Sequence, residues 1–449
     1  MFHKFISFSL LVTFLLSYPV FSGQLNIKKD INVQYAKLKN GLDIYVAPNH
    51  RIPAVLHSVI YKVGGMDDPM GKAGLAHYFE HLMFETTGKF KNIESILGSI
   101  GARFNAFTTR GYTCYYELVL KKDLSLVMEV EADRMSSFNV SHDKIEREKN
   151  IVLEERKMRI DNRPIALLWE EMNNAFYRTG YGRPIAGWDV DINTFNQHDI
   201  EKFHDNYYHP GNAMLLVVGD VEFDEVLKLA EEKYGAIKSK PVVRHYPNQE
   251  PVHNASMELT VRSSQVKEPV LYFRYKVPTL KHIDETFTVN LAVDLLGGGK
   301  SSKLYKDLVL DKDIAVSVDA YYHGLAFSDR FVDISVIPKS GVTLDIVEKE
   351  LESSISNFLH EKITDEELES AKYRYKVAQF DNLSDLTSIA NFYAEHLALN
   401  IPFKEIDISS SKVDNVNLED MSAKIHTIFS ANKLIGRLLP QGDIDNENK

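Results

Sequence analysis

Cysteine is almost absent from this chain, and its scarcity limits how the fold can be stabilised. Cys114 is the single cysteine among 449 residues, so no disulfide can form within the chain. Its neighbours are aromatic and β-branched residues, which favours a packed strand position over a reactive thiol. Hydrophobic residues make up 44% of the sequence, and a chain of this length can form two globular domains with separate cores.

Arginine is missing from the first 24 residues, which argues against an Arg-rich mitochondrial transit peptide. Residues 1–4 are weakly positive, residues 5–16 are nearly all apolar, and Val20-Phe21-Ser22 has the small-x-small character of a cleavage site. These features predict a signal peptide over residues 1–23 and export across the inner membrane, to the periplasm of a Gram-negative bacterium. An uncleaved leader that anchors the chain is the alternative, because the apolar run is near the lower limit for spanning a bilayer.

An excess of positive charge and further long apolar runs are also missing. The 52 Lys and Arg residues stand against 63 Asp and Glu residues, which gives a net charge of −11. This balance gives no reason to expect nucleic acid as a partner. No segment after the leader is apolar over the length that a membrane-spanning helix needs.

Two histidines and a glutamate stand close together in the otherwise apolar segment of residues 74–84. His77 and His81 are four residues apart, so on a helix their rings can converge on one metal ion. Glu80 can lean over the open coordination position and act as a general base. The order H-x-x-E-H is the inverzincin signature. A pair of ordinary surface or core histidines is the alternative.

A catalytic zinc usually has three protein ligands and one open position, so another segment must supply the third. The best candidate is residues 141–159, a helical run that is rich in Glu, Lys and Arg. Glu148 and Glu155 lie seven residues apart in it and therefore share one helix face. A solvated face with weak ion pairs is the alternative interpretation of the same pattern.

Together the two segments resemble the insulinase/pitrilysin family of zinc peptidases, which includes the mitochondrial processing peptidases, and the resemblance extends to a bacterial subfamily of that kind. In this family H-x-x-E-H is followed by an R-E-x-x-x-x-x-x-E segment, and Arg147 to Glu155 fits that pattern. The resemblance covers nearly the whole chain after the leader, with further matching segments at residues 38–46, 64–69, 101–108, 181–188 and 296–305.

The resemblance implies the rest of the site. Glu155 would be the third ligand of one zinc ion, with its neighbour Glu154 as the fallback. Glu148 would orient a ligand or a bound water, as outer carboxylates do in metal sites. Asn105 and Ala106 would lie on an edge strand to which an extended peptide substrate adds as a further strand.

Strand-like and helix-like segments alternate in a way that predicts an α+β fold. Predicted strands cover residues 42–46, 55–63, 212–218, 270–275 and 432–439, a β-ribbon covers 104–119, and predicted helices cover 123–136, 141–160, 164–176 and 284–296. Residues 212–220 and 432–443 echo each other weakly, which supports two similar halves, each a mostly antiparallel sheet packed by helices. We therefore expect a zinc-binding catalytic domain at 24–240, a Pro-rich linker at 241–255 and a homologous domain without metal ligands at 256–449.

The Gly-rich segment at residues 297–301 invites another interpretation, because such loops can cradle phosphate. A phosphate-binding loop needs a further glycine five positions before Gly299, where this chain has Asp294. The segment also follows a predicted helix rather than a strand. A turn after a helix is the better prediction.

One departure from the family concerns the second half. Single-chain members carry an Arg and a Tyr there that stabilise the tetrahedral intermediate, and this chain has Val309 and Val316 at the matching places. Neither valine can donate a hydrogen bond. A homologous partner subunit is therefore expected to supply these groups, and a homodimer is also possible. In a monomer the substitutes would be Tyr305, Lys306, Lys312 or Tyr321.

The function expected from the sequence is that of a zinc-dependent endopeptidase acting on peptides or unfolded polypeptides through a metal-activated water. One alternative is a non-catalytic structural subunit of a related complex. Another is a shorter lyase type of related architecture that acts on a ribosyl-homocysteine. That type uses a Cys ligand, whereas Cys114 lies in a strand-like segment.

Overall fold

The computed structural model describes residues 32–85, 88–241, 250–251, 253–277, 284–328, 330–381, 383–406 and 411–442. The predicted signal peptide lies outside the described residues, and so does most of the predicted linker at 241–255. Within the described residues, no helix is both long and apolar enough to cross a membrane.

The first half contains a mixed sheet. Its strands are β1 (Gln34–Lys37), β2 (Asp43–Pro48), β3 (Ala54–Tyr61), β4 (Arg103–Thr108), β5 (Thr113–Leu120) and β6 (Ala213–Gly219). They lie in the order β1-β2-β6-β3-β5-β4, and only the β2–β6 pair is parallel. The predicted β-ribbon is therefore the β4–β5 hairpin, and β4 is the last strand of the sheet.

The second half repeats this arrangement. Its strands are β7 (Met257–Ser263), β8 (Val270–Val277), β9 (Ala315–His323), β10 (Arg330–Pro338) and β11 (Lys433–Pro440), in the order β7-β11-β8-β10-β9. The one parallel pair is β7–β11, which corresponds to β2–β6. β9 is the last strand and corresponds to β4. The structure thus confirms an α+β fold of two similar halves.

Helices cover both sheets. They are α1 (Leu75–Leu82), α2 (Ile93–Ser99), α3 (Leu124–Ser136), α4 (His142–Arg156), α5 (Pro164–Phe176), α6 (Asp189–Ile192), α7 (Gln197–Tyr207), α8 (Phe223–Tyr234), α9 (Glu285–Gly297), α10 (Leu344–His360), α11 (Asp365–Asp381), α12 (Leu386–Ala398) and α13 (Leu418–Phe429). Two further segments are π-helical. Lys157–Asp161 comes directly after α4, and Tyr305–Asp311 lies between α9 and β9. The helix predicted at 141–160 therefore changes its hydrogen-bond pattern after Arg156. α9 ends at the Gly-rich segment, where Gly299 has a φ of +100° and forms the predicted turn.

The two halves exchange one helix each. α12 of the second half packs on β3 and β6, where Ile389 and Tyr393 meet the buried Cys114 of β5 in one apolar cluster. α5 of the first half packs on β7 and β11, with Met172 against Gly436. A Cβ at Gly436 would lie 2.6 Å from the Met172 sulfur, so any larger residue there would displace the Met172 side chain. One face of each sheet is therefore covered by a helix of the other half.

A buried charged cluster lies in the core of the first half. The Arg134 guanidinium is 2.6 Å from Glu131 on the same helix, although the angles are not those of a hydrogen bond, and it stacks over the Tyr115 ring at 4.6 Å. Glu117 bonds to His57 at 2.8 Å. Burial raises the pKa of Glu131 to about 8 and that of Glu117 to about 7. The single guanidinium is the positive charge that compensates both carboxyl groups.

We expect Arg134→Met to lower the free energy of unfolding by about 3–5 kcal/mol, because it leaves two buried carboxyl groups without a cation. The matched control is Lys89→Met, which removes a surface charge paired with Glu129 and should shift the midpoint far less. Urea unfolding followed by circular dichroism measures both. Equal midpoints for the two variants would contradict a stabilising role for the guanidinium.

Candidate metal centre

Helix α1 is fixed at its first residue by two contacts. The Asp68 carboxylate accepts hydrogen bonds from the backbone N–H groups of Gly74, at 2.7 Å, and Ala76, at 2.8 Å, which satisfies donors at the start of the helix. Gly74 has a φ of +91° and lies against Gly187, where an added Cβ would approach the Gly187 Cα to 2.5 Å. Asp68 was not singled out from the sequence, since nothing local marks its distance from the helix.

The structure brings together His77 and His81 of α1 and Glu155 of α4. Oε2 of Glu155 lies 3.1 Å from Nε2 of His81 and 3.6 Å from Nε2 of His77. Among the described residues, these three form the one group of His, Cys, Asp and Glu side chains whose donor atoms lie within 4.8 Å of one another. The fallback residue Glu154 points away from them, with 70% of its side chain exposed.

The donor set suits a zinc ion. Two imidazole nitrogens and one carboxylate oxygen are the ligands of several catalytic zinc sites, which keep a fourth position open. Oε2 of Glu155 is buried and makes no hydrogen bond with any described residue. A buried carboxylate oxygen without a partner is costly in a folded protein. A metal ion bound there would satisfy it.

The pKa values of the two histidines shift in opposite directions. Burial and the neighbouring His81 lower the pKa of His77 to about 4. Burial acts the same way on His81, but the neighbouring carboxylates of Glu148 and Glu155 outweigh it and raise the pKa of His81 to about 9. The nearby His81 ring in turn lowers the pKa of Glu155.

Glu148 lies on α4 two helix turns before Glu155. Its Oε2 is 3.6 Å from Nδ1 of His81, the ring nitrogen opposite the one that faces Glu155. Glu148 is buried, and Arg147 contacts its other oxygen at 3.4 Å. In this position Glu148 can fix the tautomer and the orientation of the His81 ring.

Glu80 is buried beside the two histidines and has one hydrogen-bond partner in the opposing strand. The Thr108 hydroxyl donates to Oε2 of Glu80 at 2.5 Å. Burial raises the pKa of Glu80, while the bond from Thr108 opposes the rise. Thr108 lies in the edge strand that the sequence places near the substrate, but its contact with Glu80 depends on how β4 packs against α1 and leaves no mark in the sequence.

Two arginines, Arg156 and Arg159, lie within four residues after Glu155. Arg159 lies in the π-helical segment and pairs with Oε1 of Glu155 at 2.7 Å, while 72% of its side chain is exposed. Arg156 is buried, donates to both carboxylate oxygens of Glu170 at 3.0 and 2.9 Å, and also donates to the Gly187 carbonyl at 2.5 Å. Neither arginine was singled out from the sequence, because their charges resemble those of a solvated helix face.

A cavity of about 760 Å³ opens at these residues. β4 forms one wall, through Asn105 and Ala106 among others, and α5 forms another, through Trp169 and Asn173. β4 pairs only with β5 among the described strands, so its other edge faces the cavity. The Asn105 side chain itself bonds to the backbone N–H of Ala106 at 2.9 Å.

The residues considered for stabilising the oxyanion lie away from the metal cavity. Val309 packs against the core of the second half, and Val316 is exposed on β9. The four side chains expected to replace the Arg and the Tyr in a monomer do not line the metal cavity; they are Tyr305, Lys306, Lys312 and Tyr321. The described cations that line this cavity are Arg110, Arg156 and Arg159. Tyr321 lines a separate cavity in the second half.

Comparison with known proteins agrees with this geometry. Residues 45–189 match the family described as Insulinase (Peptidase family M16), and residues 194–375 match the Peptidase M16 inactive domain. The zinc protease PqqE of Helicobacter pylori is 32% identical over 371 residues, which are 81% of this chain and 83% of that protein. The uncharacterized zinc protease YmxG of Bacillus subtilis is 24% identical over 410 residues, or 90% and 98% of the two chains.

Solved structures share the fold. A protease from Helicobacter pylori superposes with a TM-score of 0.84 at 28% identity, and the match covers 91% of this chain and 99% of that one. A peptidase M16 inactive domain from Pseudomonas fluorescens has a TM-score of 0.80 at 17% identity, with 91% and 98% covered, and shows the fold alone. On these grounds the chain belongs to the insulinase/pitrilysin family of peptidases, family M16.

Proposed function

We propose that this chain is a zinc-dependent endopeptidase that hydrolyses peptides or unfolded polypeptides. The observation that carries the proposal is the convergence of His77, His81 and Glu155 beside Glu80, at a cavity next to the edge strand β4. Membership of a peptidase family supports it, as do relatives that are named zinc proteases.

The residues of the site divide the chemistry between them. One zinc ion held by His77, His81 and Glu155 would lower the pKa of a bound water and polarise the scissile carbonyl. Oε2 of Glu80 is occupied by Thr108, so Oε1 is left to accept a proton from the attacking water. Glu80 then delivers this proton to the leaving nitrogen as the peptide bond breaks.

The edge strand gives the site its preference for extended substrates. A peptide that pairs with β4 at Asn105 and Ala106 satisfies the free backbone groups of that edge. Such pairing requires an extended backbone and depends little on side chains. Folded substrates would have to unfold locally before they reach Glu80.

A non-catalytic structural subunit is the second candidate. It is favoured by the match of residues 194–375 to an inactive domain. The three candidate ligands all precede residue 194, in the part that matches the insulinase family itself. We therefore prefer the catalytic function.

We also propose that a homologous partner subunit completes the oxyanion site, since Val309 and Val316 cannot donate hydrogen bonds. A second copy of this chain would carry the same two valines, so a homodimer would not supply the missing groups. Arg159 is the chain's own candidate, because it is exposed at the cavity and already contacts Glu155.

Export to the periplasm is a further proposal, and it is supported by the sequence of residues 1–23. The anchored form with an uncleaved leader is its alternative. N-terminal sequencing of the mature protein from a cell fraction distinguishes the two, and recovery of the intact chain from the cytoplasm would refute export.

Removal of the third ligand should weaken zinc binding. We expect Glu155→Gln to lose zinc affinity by more than about 100-fold, because loss of outer partners alone typically costs about 10- to 100-fold. Glu154→Gln changes the same charge one residue away and should keep one zinc per chain. Competition with a chromophoric chelator measures both, and equal affinities would exclude Glu155 as a ligand.

Removal of the base should separate zinc binding from catalysis. We expect Glu80→Gln to retain zinc and to lose peptide cleavage by about 10²- to 10⁴-fold, because the amide cannot accept the proton. Glu154→Gln again serves as the control and should cleave at the parent rate. Cleavage of an unstructured, internally quenched peptide gives the rates, and a fully active Glu80→Gln would disprove the assignment.

The partner proposal predicts low activity for the purified chain at every concentration. Loss of one oxyanion donor typically costs about 10²- to 10³-fold in rate. Addition of a homologous chain that carries the Arg and the Tyr should restore cleavage. If the chain alone cleaves the quenched peptide at ordinary enzymatic rates while light scattering shows a monomer, no partner is needed.

A further inference from the structure

The second half contains its own cavity, at the place that corresponds to the metal cavity of the first half. The metal cavity lies among α1, β4, α4 and α5, whereas this cavity lies among α9, β9, α11 and α12. α9 packs on β9 and α11 in the way that α1 packs on β4 and α4. The two cavities share no lining residue. We call the second one the α9–α12 cavity, and its volume is about 340 Å³.

A carboxylate without a counter-ion lines the α9–α12 cavity. Glu395 of α12 is half-buried, and its side chain makes no hydrogen bond or ion pair with any described residue. Burial raises the pKa of Glu395. Two other partly buried acidic side chains of the second half, Asp294 and Asp333, have arginine partners. Glu395 therefore differs from them in facing a cavity without a cation.

The histidines beside Glu395 do not supply the missing charge. Burial lowers the pKa of His323 to about 4 and also lowers that of His396, so both rings are neutral near pH 7. Nδ1 of His396 lies 2.8 Å from the Phe392 carbonyl. Arg330 lies near Tyr322 and donates from Nε to the Gly324 carbonyl at 2.5 Å, and it makes no ion pair with Glu395.

Two buried hydroxyl groups also lack partners. Thr286 and Tyr322 both line the cavity, less than a tenth of either residue is exposed, and neither hydroxyl makes a hydrogen bond with a described residue. They lie close enough for Thr286 to lower the pKa of Tyr322 somewhat, but not in hydrogen-bond geometry. Asn290 donates to the Thr286 carbonyl at 3.0 Å, which leaves its own carbonyl oxygen for a donor. Buried groups of this kind usually have a partner.

Aromatic rings form the rest of the wall. Phe287 and Tyr375 meet edge to face at 5.7 Å, and Phe392 lies against the His396 ring at 4.3 Å. Aromatic faces attract ammonium and guanidinium groups, and the attraction grows when water is excluded. A carboxylate adds a charge-assisted hydrogen bond. A metal ion fits less well, because Glu395 belongs to no cluster of His, Cys, Asp and Glu ligands among the described residues.

We propose that the α9–α12 cavity binds an organic cation, a guanidinium or primary ammonium group on a short aliphatic chain, with Glu395 as its counter-ion. Phe287, Tyr375 and Phe392 enclose the aliphatic part and the cation, while the oxygens of Asn290, Thr286 and Tyr322 accept its remaining N–H groups. The volume is at the lower end for small-molecule sites, which fits a group of the size of an arginine side chain. The ligand is either a free amine or a basic residue of a peptide.

The test compares two amino-acid amides that differ only in the charge of the side chain. L-arginine amide is titrated into the full-length protein by isothermal calorimetry, with L-citrulline amide as its control, which keeps the α-amino group and replaces the guanidinium by an uncharged, nearly isosteric urea group. We expect one saturable site for the arginine compound and at least tenfold weaker binding of the citrulline compound. Equal affinities, or no saturable binding up to millimolar concentration, would overturn the proposal.

Three variants test whether the ligand binds in this cavity. Glu395→Gln should weaken binding of L-arginine amide at least tenfold, whereas Glu366→Gln, which removes an exposed charge of α11 outside the cavity, should not. Phe392→Leu should also weaken it by removal of a ring face. Thermal unfolding confirms folding, and Glu395→Gln should melt no lower than the parent because it removes a half-buried carboxylate that has no counter-ion. Unchanged binding in Glu395→Gln would assign the ligand elsewhere and refute the site.

A further pair of probes identifies the source of the cation. Agmatine represents a free amine, and an acetylated, amidated Gly-Arg-Gly peptide represents a basic residue within a chain. Stronger binding of agmatine favours a free metabolite, and stronger binding of the peptide favours a substrate side chain. Failure of both to bind in competition with L-arginine amide would contradict the proposed cation chemistry. None of these measurements depends on zinc or on cleavage.

Discussion

The buried Arg156 guanidinium is the interaction on which the geometry of the metal centre depends. It holds Glu170 of α5 through two hydrogen bonds and the Gly187 carbonyl through a third. Gly187 in turn lies against Gly74, where helix α1 begins. One side chain thus links the end of α4, which carries Glu155, to the start of the helix that carries both histidines. A lysine could not make this set of planar bonds, because its ammonium group lacks the guanidinium fork.

The same helix that receives Arg156 also joins the metal centre to the second half. Glu170 lies on α5, whose other face packs Leu168 and Met172 against the second sheet at Gly436. α12 does the converse, because it belongs to the second half and packs on the first sheet. A half that contributes no candidate ligand is therefore still required to hold the ligands in place. This explains why the two similar halves are fused into one stable unit with a shared interface.

The site residues that lie together on one helix could be predicted from the sequence. His77, Glu80 and His81 are separated by less than two helix turns, so local geometry brings them together. Glu155 is far from them along the chain, and only the family resemblance connected it to His81. The cap from Asp68, the bond from Thr108 and the exchange of α5 and α12 depend on tertiary packing, and no local pattern marks them. The π-helical segment after Arg156 was equally hidden, because its composition is that of an ordinary helix.

The repeated framework separates what the fold determines from what the side chains determine. In both halves a helix, an edge strand and two further helices enclose a cavity at the same place. α1 presents His77 and His81 to its cavity, whereas α9 presents Thr286 and Asn290 to the other. No described side chain of the second cavity completes a metal-ligand cluster. The backbone arrangement therefore determines where a cavity opens, and the residues on four elements determine whether it holds a metal ion or an organic group.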